Sequence, residues 1–294
     1  MSVKYHTGKF PPTNLDWARL VPLIGPAAGA LAKLPLCGRI LKEAHAILLD
    51  SVRGKNKNPG QYRRTQNWIG APGCTEEEAK FVPIKPGATL EDGMANWETY
   101  VNNSEPDKLV QLAVLHAEFE ALHPFADGNG RLGRMLVPLF LYSNGLLRAP
   151  TFYISEYLEG KRIEYYDRLL AVSRDGDWTS WCEFFLKAVI EQAKTNTSKA
   201  CSILKLYDEK KLVISEKTHS HNSIRALDFI FERPMFLSSD FVAKAGIPTP
   251  TAKRILKVLR ESQQLVVLRE SAGRRPALLA FRELLNLAEG KPAF

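Results

Sequence analysis

The sequence predicts a mainly α-helical fold with one small β-hairpin, followed by a C-terminal winged helix-turn-helix domain. Three observations predict it. Apolar residues recur at helical spacing over most of residues 1–200. A glycine-rich tip separates two short extended pieces between residues 62 and 86. From residue 223 onward the order is helix, helix, turn, helix and hairpin, which is the order of a winged helix-turn-helix.

Composition narrows the class of protein. The 294 residues are 45% apolar and 24% charged, which is typical of a folded globular chain and unlike a disordered, collagenous or rod-shaped one. No apolar run reaches ~18 residues, and the first residues lack the pattern of a secretory signal. We therefore expect a cytoplasmic protein without a membrane partner. The four cysteines are far apart, which predicts free thiols rather than a metal site.

The positive charge is concentrated in the tail. The chain carries a net charge of +8, and residues 200–294 hold 16 basic and 10 acidic side chains. A polyanion such as DNA is therefore a candidate partner of the tail, while a winged helix that docks a protein or forms a homo-oligomer explains the same residues equally well.

The elements of the first 200 residues follow in order. Residues 1–32 are expected to form an irregular arm with a short helix. The next segments predict, in turn, a helix over Leu34–Val52, a strand over Tyr62–Ile69, an extended piece over Phe81–Pro86 and a helix over Leu90–Val101. Residues 33–200 form the predicted core.

A pair of strong helices follows. Pro106 is expected to open the first one, and the helix should end at His123, because a residue before proline avoids the helical conformation. The second is expected to start near Arg131. Further helices are predicted at Glu156–Ser173 and Trp178–Thr197.

Residues 201–222 are expected to connect the core to a domain at 223–294. In that domain we predict a helix over Ser223–Phe231 and a short helix through Ala245 that is capped by Ser238 and Ser239. A longer helix over Thr249–Leu259 and a hairpin of Leu265–Leu268 with Ala277–Phe281 complete it. The longer helix carries the basic residues for DNA, namely Lys253, Arg254, Lys257 and Arg260, and Arg274 with Arg275 lies at the wing tip.

One segment concentrates chemically active residue types. It joins the two strong helices and reads HPFADGNGRLGR at residues 123–134. Gly128 and Gly130 permit positive φ, so that backbone N–H groups can converge on an anion, and a helix N-terminus follows. Arg131 and Arg134 lie on one helical face, where both can reach phosphate oxygens. Asp127 offers a hard oxygen ligand for Mg²⁺ held together with a nucleotide.

This segment matches the motif H-P-F-x-[DE]-G-N-G-R-x-x-R, and the sequence thereby resembles the Fic family. The resemblance implies a Fic-type helical core and transfer of AMP from ATP, with Mg²⁺, to a Ser, Thr or Tyr hydroxyl of a target protein that is unknown and includes the chain itself as a candidate. His123 is then the general base. Asp127 holds Mg²⁺, and Phe125 faces the core and anchors the loop. Further nucleotide contacts are implied for Gly128, Asn129, Gly130, Arg131 and Arg134.

Two other segments resemble the family. Residues 62–70 resemble the hairpin beside the Fic site that aligns the target by strand addition, which implies target docking at Asn67, Trp68, Ile69 and Gly70. Residues 164–169 resemble the helix that borders the adenine pocket. Tyr165 or Tyr166 is then a nucleotide contact, although an aromatic pair at helical spacing fits a core position equally well.

A departure from the family concerns regulation. Many Fic proteins carry an inhibitory helix with the motif [ST]-x-x-x-E-[GN], whose Glu pairs with the second motif arginine. That motif does not precede His123 here, and its formal match at Ser155–Gly160 lies where the family has no inhibitor. We therefore expect a deregulated, natural or engineered form. The alternative functions are a DNA-binding regulator whose core senses nucleotides, and a Fic enzyme that uses another phosphate donor.

Overall fold

The computed structural model describes residues 16–50, 57–71, 73–290 and 292–293. The chain divides into two compact units, and the division falls between Lys194 and Thr195. The described part is mainly helical, as the sequence predicts, and its only named sheet has three strands. No helix in this part has both the length and the apolar character needed to cross a membrane.

Seven helices and the start of an eighth build the first unit. Their bounds are α1 Asp16–Leu31, α2 Gly38–Leu48, α3 Ala88–Val101, α4 Lys108–Leu122, α5 Asn129–Ser143, α6 Ser155–Gly160, α7 Arg162–Asp175 and α8 Trp178–Thr218. Helix α4 packs against α3, α5 and α7, while α1 packs against α2 and α5. The helix α4 is therefore surrounded, and its side chains Leu112, Leu115 and Phe119 are completely buried.

Local chemistry sets where α4 and α5 end. The carboxylate of Asp107 accepts hydrogen bonds from the N–H groups of Leu109 and Val110 at 2.8 and 3.1 Å. Asp107 is therefore the N-cap, and the prediction that Pro106 opens the helix is wrong by two residues. The predicted stop at His123 is confirmed. Helix α5 begins at Asn129, two residues before the predicted start, because Gly128 takes a left-handed conformation with φ of 87°.

Several boundaries in the first unit differ from the prediction. Helix α1 has 16 residues. Helix α2 begins at Gly38 instead of the predicted Leu34, because Cys37 is extended and a residue that precedes a proline, here Leu34 before Pro35, disfavours the helical conformation. The helix predicted over Glu156–Ser173 is broken at Lys161, which follows the weak helix former Gly160.

The predicted β-hairpin is reduced to one bridge. Ile69 pairs with Phe81 in antiparallel fashion, and no strand forms over Tyr62–Ile69. The physical reason lies in the hydrogen bonds of this segment. The N–H of Arg63 donates to the carbonyl of Pro124 at 2.9 Å, so the segment binds the loop after α4 instead of a partner strand.

Helix α8 continues through the predicted connecting segment. It is 41 residues long and ends at Thr218, instead of ending at Thr197. Residues from Thr195 onward belong to the second unit. The polar, Lys- and Ser-rich composition of residues 198–218 reflects exposed helix positions, not a linker.

The second unit continues with α9 Ser223–Glu232, β1 Met235–Leu237, α10 Ser238–Lys244, α11 Thr249–Glu261, β2 Val266–Arg269, β3 Leu278–Ala280 and α12 Arg282–Glu289. The sheet is antiparallel with β3 in the centre. The predicted helices and hairpin are present, whereas β1 and α12 were not predicted. Ser238 does not cap α10, because it is the first helical residue, Leu237 holds the N-cap position and no side chain makes a capping hydrogen bond there. The winged-helix assignment of this unit remains a prediction.

Candidate functional site

The motif segment at residues 123–134 is the connection between α4 and α5. His123 is the left-handed C-cap residue of α4, with φ of 46° and ψ of 56°. This conformation is strained for a residue with a side chain, and it persists only where the surroundings enforce it. The chain reverses here, and α5 starts six residues later.

The side-chain amide of Asn129 binds the backbone of the motif loop through two hydrogen bonds. The N–H of Phe125 donates to Oδ1 of Asn129 at 2.8 Å, and Nδ2 of Asn129 donates to the carbonyl of Phe125 at 2.7 Å. Asn129 is 1% exposed. Both ends of its side chain therefore hold the loop, and any contact of Asn129 with phosphate would come from its backbone N–H. Phe125 is completely buried in the core, as expected.

His45 on the neighbouring helix α2 also contacts the motif loop. It is completely buried, and its ring stacks on Phe125 with 4.0 Å between ring centroids. Its Nδ1 accepts the N–H of Gly60 at 2.8 Å, which places its own proton on Nε2, where it donates to the carbonyl of Asp127 at 3.0 Å. Burial lowers the pKa of His45, so that the neutral form that makes both bonds is favoured.

The electrostatic environment of His123 favours a neutral imidazole. Burial is the main cause that lowers its pKa to about 4, and the nearby Arg63 cation contributes in the same direction. The Glu120 carbonyl, 3.4 Å from Nδ1, and the charge of Asp127 act in the opposite direction. An imidazole that is unprotonated at neutral pH can accept a proton.

The part of the loop that is a candidate for binding an anion is the N-terminus of α5, where Arg131 lies. Gly128 precedes α5, and a Cβ at this position would lie 3.1 Å from Leu48 on α2, so the left-handed turn and the close packing both favour glycine. Nη2 of Arg131 lies 3.4 Å from Oδ1 of Asp127. Both side chains are partly open to solvent, and they can therefore exchange this weak contact for a ligand.

Arg134 lies one turn further along α5, near the buried carboxyl of Glu120. Burial raises the pKa of Glu120 to about 7, and the positive charge of Arg134 opposes this shift. Gly133 lies so close to Glu120 that a Cβ there would collide with Oε1. A small residue at 133 is thus required where α4 and α5 approach each other.

The two candidate adenine contacts have different surroundings. Tyr165 is 6% exposed, and its hydroxyl lies 2.9 Å from Nε2 of His116. Nδ1 of His116 faces the carbonyl of Gly133 at 3.1 Å, so it carries the proton and Nε2 accepts from Tyr165. The hydroxyl of Tyr165 is therefore used inside the core. Tyr166 is 44% exposed, and the prediction of a nucleotide contact therefore rests on Tyr166.

The predicted target-docking residues lie next to the motif loop. Nδ2 of Asn67 donates to the carbonyl of Phe125 at 3.2 Å, which ties this segment to the loop. Trp68 is 41% exposed, and its Nε1 donates to the carbonyl of Cys74. Ile69 makes the bridge to Phe81, and Gly70 is exposed. Trp68 and Gly70 are thus exposed in a segment that Asn67 ties to the motif loop.

The formal inhibitory match does not reach the motif in this structure. Glu159 lies at the end of α6, its side chain is 60% exposed, and Oε1 is 3.6 Å from Nη1 of Arg162. The expectation that Ser155–Gly160 is a chance match is consistent with this position.

Two supporting residues were missed by the sequence analysis. His45 occupies a stripe position of α2 together with Leu41 and Leu48, where a buried polar residue was a detectable signal. Arg63 is 2% exposed and donates to backbone carbonyls at the end of α4. Nothing in the sequence distinguishes Arg63 from its exposed neighbour Arg64.

The donor set fits a magnesium ion only together with a nucleotide. Within the described residues, no group of three or more His, Cys, Asp or Glu side chains could hold a metal by itself. Asp127 supplies one exposed carboxylate beside the N-terminus of α5. Mg²⁺ in nucleotide sites is commonly bound by one or two carboxylates plus phosphate oxygens, and this loop can supply that arrangement.

A family model, several named proteins and a solved structure match this chain. The family model described as "Fic/DOC family" matches residues 35–141. Protein adenylyltransferase fic-1 of Caenorhabditis briggsae is 30% identical over 120 residues, which cover 37% of this chain and 22% of that protein. A uridine 5'-monophosphate transferase of Xanthomonas campestris is 30% identical over 138 residues, covering 42% of this chain and 25% of that protein. The alignments thus span about a quarter of each relative's length.

A solved structure shares the fold. A Fic family protein from Desulfovibrio desulfuricans G20 matches with a TM-score of 0.52 and 20% sequence identity, over 93% of this chain and 76% of that one. At this identity the likeness concerns the fold alone.

Proposed function

We propose that this chain, whose residues 35–141 match the Fic/DOC family model, is a protein adenylyltransferase, which transfers AMP from ATP to a Ser, Thr or Tyr hydroxyl of a target protein. The single observation that carries this proposal is the position of His123. Its imidazole is neutral by environment and lies at the start of a loop that ends in a positively charged helix N-terminus.

In the proposed reaction, His123 accepts the proton of the target hydroxyl. The hydroxyl oxygen attacks the α-phosphorus of ATP and forms the new P–O bond, while the bond between the α-phosphorus and the bridging oxygen breaks and pyrophosphate leaves. The chain's residues contribute mainly by placing the reactants and by balancing the charge that develops on the phosphates.

The phosphates would be bound by the N-terminus of α5 and by the side chains of Arg131 and Arg134. Free backbone N–H groups and the helix dipole attract anions at this end. Asp127 would hold Mg²⁺ jointly with the phosphates, and the bound ion would neutralise part of their negative charge. The internal bonds of Asn129 and His45 keep the loop in the shape that this binding needs.

The experiment that tests the proposal is mass spectrometry of the chain, alone and with candidate target proteins, after incubation with ATP and Mg²⁺. We expect the mass of the chain or of a target to increase by one AMP unit, with release of pyrophosphate. The variant His123→Ala should lose transfer and still bind ATP. The alternative is that the chain binds DNA and that this binding responds to nucleotides. If His123→Ala changes neither the DNA binding nor the response, the regulator function is favoured instead.

A second candidate function differs only in the donor. One relative of comparable identity is named a uridine 5'-monophosphate transferase, which favours testing UTP as well as ATP. The phosphate-binding loop contacts groups that all nucleoside triphosphates share, and base selection must come from other side chains, such as Tyr166. Competition between labelled ATP and UTP in one reaction decides between the two donors.

The absence of inhibition is part of the proposal. Glu159 is exposed and lies 3.6 Å from Arg162, so we propose that it does not block the site, that transfer proceeds without an activating partner, and that the chain itself is among the targets.

A further inference from the structure

Arg63 is a buried arginine whose hydrogen bonds end on backbone carbonyls. It is 2% exposed. Its Nε donates to the carbonyl of His123 at 3.0 Å, and its Nη2 lies 3.5 Å from the carbonyl of Leu122. Nη2 also donates to the carbonyl of Ile84. A guanidinium in this position offers several donors in a rigid plane, which an ammonium group cannot reproduce.

The location explains why a cation is stable there. The last carbonyls of a helix have no partner within the helix, and they form the negative end of its dipole. Leu122 is the last residue of α4, and His123 is its C-cap. The guanidinium of Arg63 supplies the missing donors at this end, and its charge is favourable beside the dipole.

The backbone of Arg63 also binds the motif loop, directly after His123. The N–H of Arg63 donates to the carbonyl of Pro124 at 2.9 Å, one peptide beyond the carbonyl that its side chain binds. Two consecutive carbonyls, at His123 and Pro124, are thus fixed by one residue. Both carbonyls follow the Cα of His123, whose left-handed conformation is unfavourable by itself.

The guanidinium of Arg63 also binds the segment that follows the bridge between Ile69 and Phe81. Ile84 follows Phe81, which pairs with Ile69. Nε2 of Gln66 donates to the carbonyl of Pro83 at 2.9 Å, so residues 63–66 and 83–84 are joined side by side. The guanidinium is therefore held by the end of α4 on one side and by Ile84 on the other, so it cannot follow a displaced end of α4.

We propose that Arg63 is a positioning residue for catalysis, which holds the backbone of His123 so that its imidazole faces the substrate hydroxyl. The proposal rests on the proposed function. Arg63 has a second effect through its charge: after burial, it is the group that lowers the pKa of His123, while Asp127 acts in the opposite direction. Geometry and charge can be separated by substitution.

The test compares two substitutions at residue 63. Arg63→Lys keeps the charge and loses the planar fork, whereas Arg63→Gln keeps a donor and loses the charge. We expect Arg63→Lys to lower kcat for AMP transfer about 10- to 100-fold, because small displacements of a base have effects of this size. The KM for MgATP should change less than about twofold, since the proposed phosphate contacts lie at Asp127–Arg134.

The pH profile separates the effect of charge. In Arg63→Gln, the acid limb of kcat should move upward from about 4, because one group that lowers the pKa of His123 is removed while its burial stays, whereas the limb should stay low in Arg63→Lys. The matched controls are Arg148→Lys and Arg148→Gln, since Arg148 is exposed and lies outside residues 62–70 and outside the motif loop. Both controls should match the unsubstituted chain in kcat and in pH profile.

The outcomes distinguish this proposal from the proposed function. If the unsubstituted chain transfers no AMP, the proposed function is contradicted. The NMR titration of His123 in the unsubstituted chain and in Arg63→Gln then still tests the role of the charge. An Arg63→Lys variant with unchanged kcat would overturn the geometric role. A His123 midpoint that is the same in Arg63→Gln would overturn the electrostatic one. If neither variant folds, hydrogen exchange of the unsubstituted chain still tests the geometry, and a backbone N–H of Arg63 that exchanges without protection overturns the proposal, because it contradicts the bond to the carbonyl of Pro124.

Discussion

At the scale of single residues, the site depends on polar side chains that bind the backbone of the motif loop. Asn129 binds Phe125, His45 binds Asp127, and Arg63 binds His123. These contacts fix peptide groups, so the loop is held in one shape before any ligand arrives. A preformed loop loses little conformational freedom on binding, which favours catalysis by positioning.

The first residue-scale prediction concerns pH. Because burial lowers the pKa of His123 to about 4, we expect kcat for AMP transfer to rise with pH around 4 and to be independent of this group above about pH 6. The sign follows from the need for an unprotonated base. The measurement is the initial rate between pH 4 and 8, with the folded state verified at each pH by circular dichroism. An acid limb centred near 6.5 would contradict the assigned environment.

The second residue-scale prediction concerns His45. The variant His45→Phe keeps the stacking on Phe125 and removes both hydrogen bonds, which leaves the N–H of Gly60 and the carbonyl of Asp127 without this partner. We expect a loss of about 1–3 kcal/mol of unfolding free energy for each group that stays unsatisfied. Urea denaturation measures it. The control is His221→Phe at an exposed position, which should change little.

At the scale of elements, α4 and α5 are fixed by their ends. Asp107 caps α4, His123 ends it, and Gly128 permits the turn into α5. Each of these features lies in the sequence next to the element that it limits. The long α8 behaves differently, because its second half is polar and carries no such end signal before Thr218.

The element-scale prediction tests whether α8 is continuous. Ala200 is an exposed residue within the segment 198–218, and Ala200→Pro should cost about 3 kcal/mol, whereas Ala200→Gly should cost about 1 kcal/mol. Chemical denaturation of both variants measures these differences. A proline that leaves the stability unchanged would favour the flexible connection that the composition first predicted.

At the scale of the whole molecule, the charge is uneven, with 16 basic against 10 acidic residues from residue 200 onward. Several basic side chains of α11 already have partners. Nη1 of Arg254 donates to the carbonyl of Thr218, and Nη2 of Arg260 pairs with Glu270 at 3.2 Å. Arg274 and Arg275 are exposed in the turn between β2 and β3.

The whole-molecule prediction concerns DNA. If the tail binds DNA, affinity should fall steeply with salt, and replacing Arg274 and Arg275 by Gln should reduce the slope of log K against log salt by about 2, because each phosphate contact contributes about 0.9. Fluorescence anisotropy with a labelled duplex at several salt concentrations measures this slope. Retention that is independent of salt, or an unchanged slope in the double variant, would argue for a protein-docking role.

Much of the fold and the core of the site followed from local sequence. The motif between two apolar helices predicted the loop and the stop at His123, because both depend on neighbouring residues, whereas the resemblance to the Fic family implied the buried Phe125. The split of the helix at Lys161 and the reduced hairpin did not follow. Gly160 weakens the helix but does not by itself fix that the break falls at Lys161. The hairpin is reduced because its backbone binds a distant segment, as for the N–H of Arg63 at the carbonyl of Pro124.

The sequence alone determined which chemical groups the loop carries and that two helices flank it. The tertiary structure alone decided how those groups are held, since His45 and Arg63 reach the loop from positions about 60 to 80 residues earlier in the chain. Hydrogen bonds across such separations depend on how helices pack, and no local pattern encodes them. For the same reason only the structure distinguished buried Tyr165 from exposed Tyr166, which adjoin in sequence but differ in the side of α7 they occupy.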